Sequence, residues 1–208
     1  MKQTVKIKIC GLRRAEDIAI VNAAQPDYIG FVFAKGRREV SEETAAQLAA
    51  LLDPRIQKVG VFVDAPQEQV IHLLQSGIID LAQLHGTESE EMVHLIREAT
   101  GKPVIRTRIL LPEEKKIPDT EAEYLLLDSG KGSGRCLDWQ SVAKLQGINK
   151  PYFLAGGLSP ENVAEALKQL SGCLPYAVDV SSGVETDGCK DKIKVHKFIE
   201  QVRAWCSR

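Results

Sequence analysis

The stretch VKIKICGLRRAEDIAIVNAA, residues 5–24, decides the fold because it joins an apolar strand to a helix. The strand VKIKI leads into Cys10. A helix from about Arg14 to Ala24 is predicted next, because apolar residues recur there at helical spacing. A strand that feeds a helix through a short loop is the building unit of parallel α/β folds.

The same unit recurs from one end of the chain to the other. Helix signals follow the strand-like runs, such as Ser41 as an N-cap and Pro66 at the start of another helix. The runs are continuous and apolar, as expected for parallel strands that helices cover. The strand-like runs are VKIKI, DYIGFVF, KVGVFV, IIDLAQLH, KPVIRTRI, YLLLD, PYFLAGG and PYAVDVSSG.

Eight strand–helix units predict an α/β fold, a single compact (β/α)8 TIM barrel that occupies residues 1–208 as one domain. The alternative is an open, doubly wound sheet. After the fifth strand the segment LPEEKKIPDTEAE is charged and contains Pro112 and Pro118. We therefore expect the fifth helix to be short or irregular.

Composition narrows the classes of function. The net charge of -1 gives no field that would gather nucleic acid or an anionic membrane. No apolar run approaches the roughly 20 residues that span a bilayer, and we expect no signal peptide. The five cysteines are scattered without a CxxC pair, which favours a reducing cytoplasm over a disulfide framework or zinc site.

Two strands end in side chains suited to proton transfer. If Ile7 and Ile9 face the helices, alternation turns Lys8 and Cys10 into the barrel, with Cys10 at its C-terminal mouth. There the thiolate is suited to act as a general base, whereas the alternative is a buried core thiol. Asp128 ends YLLLD in the same way and is the candidate general acid, or alternatively a cap for backbone N–H groups.

Two glycine-containing loops predict a phosphate site. Gly156 and Gly157 come directly before a predicted helix N-terminus, where unpaired N–H groups attract anions. Ser181 and Ser182 follow the eighth strand and lead into Gly183. In (β/α)8 barrels the loops after strands seven and eight commonly bind phosphate, so we expect a phosphorylated small-molecule substrate.

Further side chains at the same edge are candidates for substrate contact. Arg37 and Arg38 follow the second strand, where a guanidinium can hold a carboxylate, although exposed arginines are usually only solvated. His85 follows the fourth strand and is either a substrate contact or an interior polar residue. Asp179, which shares the inward parity of Ser181, is assigned to the substrate site and is also the candidate partner of Lys8. The loop GKGSGR, residues 130–135, suits either a closing lid or a plain flexible loop.

These motifs together resemble the phosphoribosylanthranilate isomerase family of tryptophan biosynthesis, in its monofunctional form, over nearly the whole chain. The resemblance implies a (β/α)8 enzyme that carries out an Amadori rearrangement without a metal or organic cofactor. The motifs that carry it are KICG (Lys8–Gly11), GFVF (Gly30–Phe33), VGVFV (Val59–Val63), QLHG (Gln83–Gly86), LLLDS (Leu125–Ser129), LAGGLSPENV (Leu154–Val163) and DVSSGVE (Asp179–Glu185).

The resemblance also implies a role for each site residue. Asp128 would protonate the furanose ring oxygen, Cys10 would remove the proton from C2, and Arg38 would hold the anthranilate carboxylate. The two glycine-containing loops would hold the phosphate. Two alternatives stay open: an isomerase of the histidine-pathway type, and a non-catalytic phosphate-binding barrel. We expect a cytoplasmic monomer with no nucleic-acid or membrane partner.

Overall fold

A computed structural model of the chain describes residues 4–110, 115–128, 139–146 and 148–207. Eight parallel strands form one closed barrel in which each strand pairs with the next and β1 pairs with β8. This closure confirms the predicted (β/α)8 barrel and contradicts the open sheet. The barrel strands are β1 (Lys6–Cys10), β2 (Tyr28–Val32), β3 (Gln57–Phe62), β4 (Leu81–Leu84), β5 (Val104–Ile109), β6 (Tyr124–Asp128), β7 (Tyr152–Leu154) and β8 (Ala177–Val180).

Helices pack around the outside of the barrel, and their ends follow the predicted signals. The Ser41 side chain accepts a hydrogen bond from the Thr44 N–H at 3.1 Å, and Pro66 precedes its helix directly. The helices within the described residues are α1 (Ala15–Ala24), α2 (Glu42–Leu51), α3 (Gln67–Gln75), α4 (Glu90–Thr100), α5 (Trp139–Ala143), α6 (Val163–Gln169) and α7 (Lys192–Cys206).

The connection from β5 to β6 is irregular, as predicted. Its described part, residues 110 and 115–123, contains no helix. Instead an isolated parallel bridge joins Lys116 to Gln146, and the buried Ile117 packs in the outer core. A segment with so few apolar residues offers little to hold a helix against the barrel.

Strand alternation divides the interior into two apolar layers. Ile7 and Ile9 belong to the outer core between strands and helices, as the sequence predicts. Inside the barrel, an apolar cluster that includes Tyr28, Leu126 and Phe153 fills the half near the strand N-termini. The half near the C-terminal mouth carries polar side chains instead. The reactive side chains at this mouth therefore lie on top of a closely packed apolar layer.

The chain after β8 contains a feature that sequence analysis did not predict. A 3₁₀ turn, Ser182–Val184, leads into a two-stranded hairpin of β9 (Glu185–Thr186) and β10 (Cys189–Lys190) before α7. The hairpin strands are only two residues long, which is too short for a periodic pattern to show. Among the described helices, none is long and apolar enough to cross a membrane.

Candidate active site

Cys10 is the last residue of β1 and is buried at the C-terminal mouth of the barrel. Gly30 on the neighbouring β2 lies against it, and a Cβ built on Gly30 would be 2.6 Å from the Cys10 Sγ. Only a glycine therefore leaves room for the thiol. Burial raises the pKa of Cys10, although the positive charge of Lys8 acts in the opposite direction.

Lys8 lies below Cys10 on the same face of β1 and is fully buried. Its ammonium donates to Asp179 Oδ2 at 2.9 Å and to Gln83 Oε1 at 2.8 Å. The predicted pairing of Lys8 with Asp179 is confirmed. Burial lowers the pKa of Lys8, but the charges of Asp179 and Cys10 outweigh this and raise it, so the amine stays protonated.

Asp128 ends β6 at the same mouth, and β7 and β8 separate it from β1 in the barrel order. The Nε2 atom of His85, which follows β4, is 3.6 Å from Asp128 Oδ2. This separation is longer than a hydrogen bond. The thiol and the carboxyl therefore face one mouth from different strands.

Arg38 is held at the mouth by a carboxylate of the protein itself. Glu185 binds its guanidinium bidentately, with Nε to Oε1 at 2.7 Å and Nη2 to Oε2 at 2.9 Å. Lys190 and Arg37 also donate to this carboxylate, at 2.7 and 2.8 Å. Burial raises the pKa of Glu185, but the hydrogen bonds from Arg38 and Lys190 outweigh it and lower the pKa to about 2.

The loops after β7 and β8 pack directly against each other. A Cβ built on Gly183 would overlap the carbonyl oxygen of Leu158, so this approach requires a glycine. Gly156 and Gly157 have φ of +89° and +69°, which L side chains rarely adopt. The two predicted phosphate loops therefore form one surface.

The helix expected directly after the glycine pair begins later than predicted. A turn precedes α6, which starts at Val163. In this turn the Asn162 side chain accepts from the Ser159 N–H at 2.8 Å and donates to the Gly157 carbonyl at 2.9 Å. These side-chain hydrogen bonds compete with a helical start, which is why the propensity of PENVAEAL misplaced it.

Ser181 and Ser182 have different surroundings. The Ser181 hydroxyl donates to the Cys10 carbonyl oxygen at 3.0 Å and so ties β8 to the end of β1. Ser182 opens the 3₁₀ turn, whose first N–H groups lack partners in the turn itself. At this end of β8, backbone N–H groups rather than the Ser181 hydroxyl are the donors available to an anion.

The chain matches known proteins along most of its length. A family model described as N-(5'phosphoribosyl)anthranilate (PRA) isomerase matches residues 7–201. The chain is 43% identical to the N-(5'-phosphoribosyl)anthranilate isomerase of Endomicrobium trichonymphae, with 95% of this chain and 96% of that protein covered. It is 45% identical to the enzyme of the same name from Streptococcus gordonii, with 95% and 97% covered.

The chain belongs to the phosphoribosylanthranilate isomerase family.

Solved structures of phosphoribosylanthranilate isomerases share the fold of this family member. The Thermus thermophilus protein superposes with a TM-score of 0.82 at 36% identity, covering 96% of this chain and 99% of that one. A second structure has a TM-score of 0.77 at 29% identity, covering 97% and 100%. That second protein was crystallised in complex with reduced 1-(o-carboxyphenylamino)-1-deoxyribulose 5-phosphate.

In this member of the family, the predicted residues outside the glycine pair and Ser182 form two groups at one mouth. One group lies around the end of β1, where Lys8 joins Asp179 to β1 and the Ser181 hydroxyl donates to the Cys10 carbonyl oxygen. The other group pairs a carboxyl with an imidazole across the ends of β6 and β4. The first group contains Cys10, Asp179, Ser181 and Arg38; the second contains Asp128 and His85.

Sequence analysis missed three polar residues that organise these groups. Gln83 and Thr107 point into the barrel and contact the His85 Nδ1 atom at 3.0 and 3.2 Å. Strand alternation predicts that Gln83 of β4 points into the barrel, because it lies two residues before His85. Glu185 ends the DVSSGVE motif but gave no signal, since its arginine partners come from the distant loop after β2 and its lysine partner from a hairpin too short to be predicted.

Two further expectations concern the surroundings of the site. The candidate lid, residues 130–135, lies outside the described residues. Among those that are described, no group of three or more His, Cys, Asp or Glu side chains is placed to hold a metal ion.

Proposed function

We propose that this chain converts N-(5'-phosphoribosyl)anthranilate to 1-(2-carboxyphenylamino)-1-deoxyribulose 5-phosphate in tryptophan biosynthesis, by general acid and base catalysis. Membership of the family supports the substrate, and so does the product-like ligand of a structural relative. The observation that carries the proposal is the placement of a buried thiol beside a buried ammonium, at the same barrel mouth as a carboxyl.

Asp128 acts first, as the general acid. It gives its proton to the furanose ring oxygen, the bond from C1 to that oxygen breaks, and the anilino nitrogen forms a Schiff base with C1. The partly exposed carboxyl and the neighbouring His85 support this role, because the acid needs access to substrate and a partner for its carboxylate.

Cys10 acts second, as the general base. Its thiolate removes the proton from C2, and the electron pair left on C2 moves into the Schiff base to give an enolamine. The C2 hydroxyl then loses its proton while C1 gains one, which yields the ketone. The enzyme has donated one proton and accepted one, so Cys10 and Asp128 exchange a proton to reset the site.

Three groups hold the substrate during these steps. Arg38, oriented by Glu185, binds the anthranilate carboxylate, and the loop surface with Gly156, Gly157 and Ser182 binds the phosphate. Asp179 supplies one further acceptor. Its Oδ1 atom is buried and has no hydrogen-bond partner among the described residues. A ribose hydroxyl at that atom would satisfy it.

Turnover by the purified chain tests the proposal. The anthranilate group of the substrate is fluorescent, so its conversion can be followed continuously. We expect conversion of this substrate and little conversion of the phosphoribosyl aminoaldose of the histidine pathway. Turnover of the second substrate alone would favour the histidine-pathway alternative. Saturable binding of either one without conversion would favour a non-catalytic barrel.

A further inference from the structure

A chain of polar side chains crosses the barrel interior from Lys8, which borders the Cys10 thiol, to Asp128. It starts at Lys8, whose ammonium donates to Gln83 Oε1 at 2.8 Å. The Gln83 Nε2 atom lies 3.0 Å from His85 Nδ1, and His85 Nε2 lies 3.6 Å from Asp128 Oδ2. Gln83 is only 2% exposed, so its amide is shielded from bulk solvent.

The orientation of the Gln83 amide follows from its neighbour. A protonated lysine has three donors and no acceptor. Lys8 stays protonated because it faces Asp179 on one side and the Cys10 thiol on the other. The carbonyl oxygen of Gln83 must therefore face Lys8, and its NH₂ group must face His85.

The amide in turn decides which nitrogen of His85 carries the proton. An NH₂ group can only donate, so His85 Nδ1 must accept. The Thr107 hydroxyl lies 3.2 Å from the same nitrogen and can also donate to it, so it is compatible with an accepting Nδ1. A neutral imidazole that accepts at Nδ1 carries its hydrogen on Nε2, which is the nitrogen nearest Asp128.

This tautomer has a consequence for the acid. With a hydrogen already on Nε2, the neutral imidazole offers no lone pair to Asp128 and cannot take its proton. Nε2 is 3.6 Å from Oδ2. Once substrate shortens this contact, Oδ2 is the oxygen placed to accept from the N–H, and the acidic proton is left on Oδ1. After the proton leaves, the same N–H stabilises the carboxylate.

We propose that Gln83 is a positioning residue which fixes the Nε2–H tautomer of His85 and thereby keeps the acidic proton of Asp128 available to substrate. This inference rests on the proposed role of Asp128. It also gives Lys8 a role toward both Cys10 and Asp128. The same buried ammonium borders the thiol and sets the orientation of the Gln83 amide, and through it the tautomer of His85.

Nitrogen-15 NMR of histidine-labelled wild-type protein tests the tautomer without any turnover. The loss of one imidazole in His85→Gln identifies the signals of His85. We expect its hydrogen on Nε2 and a pyridine-like shift for Nδ1. A hydrogen on Nδ1 in the folded wild-type protein would overturn the inference, whatever the enzyme is found to catalyse.

Gln83→Glu should move the imidazole hydrogen of His85 from Nε2 to Nδ1, with little change in the shape of the side chain at position 83. One carboxylate oxygen still accepts from Lys8, but the other can only accept, so His85 must place a hydrogen on Nδ1. We expect that hydrogen in the spectrum, together with a fall in kcat of about 10²-fold and a KM within about threefold of wild type. The matched control Gln75→Glu makes the same chemical change at an exposed position of α3 and leaves both readouts unchanged.

A second variant separates Gln83 from Thr107. Thr107→Val removes one donor to Nδ1 but keeps the Gln83 amide, so the Nε2–H tautomer should persist. If the Nδ1 signal changed in Thr107→Val and not in Gln83→Glu, the threonine would be the positioning residue. If both spectra behaved as expected but wild-type protein lacked turnover, the proposed function alone would fail.

Discussion

At the scale of single residues, two influences act on the pKa of the Cys10 thiol in opposite directions. Burial raises the pKa of the thiol, and the Lys8 ammonium lowers it. The proposed mechanism needs Cys10 as a thiolate while Asp128 carries a proton, so the pair is active when it holds a single proton.

The pH dependence of kcat/KM tests this arrangement. Activity should stay level while the pair holds one proton, and it should fall as pH rises and the pair loses that proton. The pKa of Cys10 sets the position of this fall. Because burial raises that pKa, we expect the alkaline limb above the ordinary thiol value of about 8.5. An alkaline limb well below that value would contradict the assignment of Cys10.

Gly30→Ala tests how closely the thiol is positioned. The new Cβ would lie 2.6 Å from the Cys10 Sγ and 3.2 Å from its Cα, so the thiol must move. A shift of about 1 Å at a reacting group can cost about 10²-fold, and we expect kcat to fall toward that extent. Gly172→Ala is the control, because nothing lies within 4 Å of its Cβ. Equal kinetics for the two variants would show that Cys10 tolerates displacement.

The site residues differ in how far sequence can predict them. Cys10, Asp128 and Lys8 follow from strand alternation, since parity alone turns them toward the mouth. Glu185 does not, because its role depends on Arg37 and Arg38 arriving from the loop after β2. Lys190 faces Glu185 within the short β9–β10 hairpin, but the meeting with the two arginines depends on the closed fold.

At the scale of elements, the loop after β2 and the hairpin after β8 are joined by a buried carboxylate. Glu185 accepts from Arg38 on one side and from Lys190 of β10 on the other. Elements with a clear period were predicted with small errors, such as α1, which begins at Ala15. The start of α6 was misplaced because a hydrogen-bonded Asn162 turn outweighs helix propensity.

Glu185→Gln tests this junction by stability. The folded-state pKa of about 2 lies below the ordinary value of 4.5, so its stabilisation is complete above pH 4.5 and is lost as pH falls toward 2. The shift corresponds to on the order of 3 kcal/mol of unfolding free energy at neutral pH. We expect the free energy of unfolding of the variant to be lower by an amount of this order at neutral pH. Its stability should also depend less on pH between 4.5 and 2 than that of the wild type.

Urea unfolding at pH 7 and pH 3 measures both effects. Glu161→Gln is the control: its carboxylate pairs with Lys197 at 3.0 Å on the exposed surface, where such pairs contribute about 0–1 kcal/mol. Equal losses for the two variants would contradict a structural role for the buried cluster around Glu185.

At the scale of the whole molecule, barrel closure joins the first barrel strand to the last. β1 pairs with β8 over four registered positions, from Lys6 with Ala177 to Ile9 with Val180. The fold class was predictable because eight alternating units on one parallel sheet leave few topologies, and right-handed crossovers favour closure. The polar layer at the mouth was only partly predictable, since it depends on which inward residues meet across the barrel.

The expectation of one monomeric domain stays a prediction at this scale. Light scattering coupled to size exclusion should give the mass of a single chain, 22.9 kDa, at micromolar concentration. Urea unfolding followed by fluorescence and by circular dichroism should give one coincident transition. A dimer mass, or two separated transitions, would contradict it.

The most direct measurement of the central claim is kcat for Cys10→Ala and Asp128→Asn on N-(5'-phosphoribosyl)anthranilate. General acid or base catalysis contributes about 10²–10⁴-fold, so each variant should lose activity within that range while remaining folded. Cys173→Ala and Asp119→Asn make the same changes away from the mouth and should keep wild-type kcat. Near-normal turnover by Cys10→Ala or Asp128→Asn would contradict the account of a base and an acid placed at one mouth of the barrel.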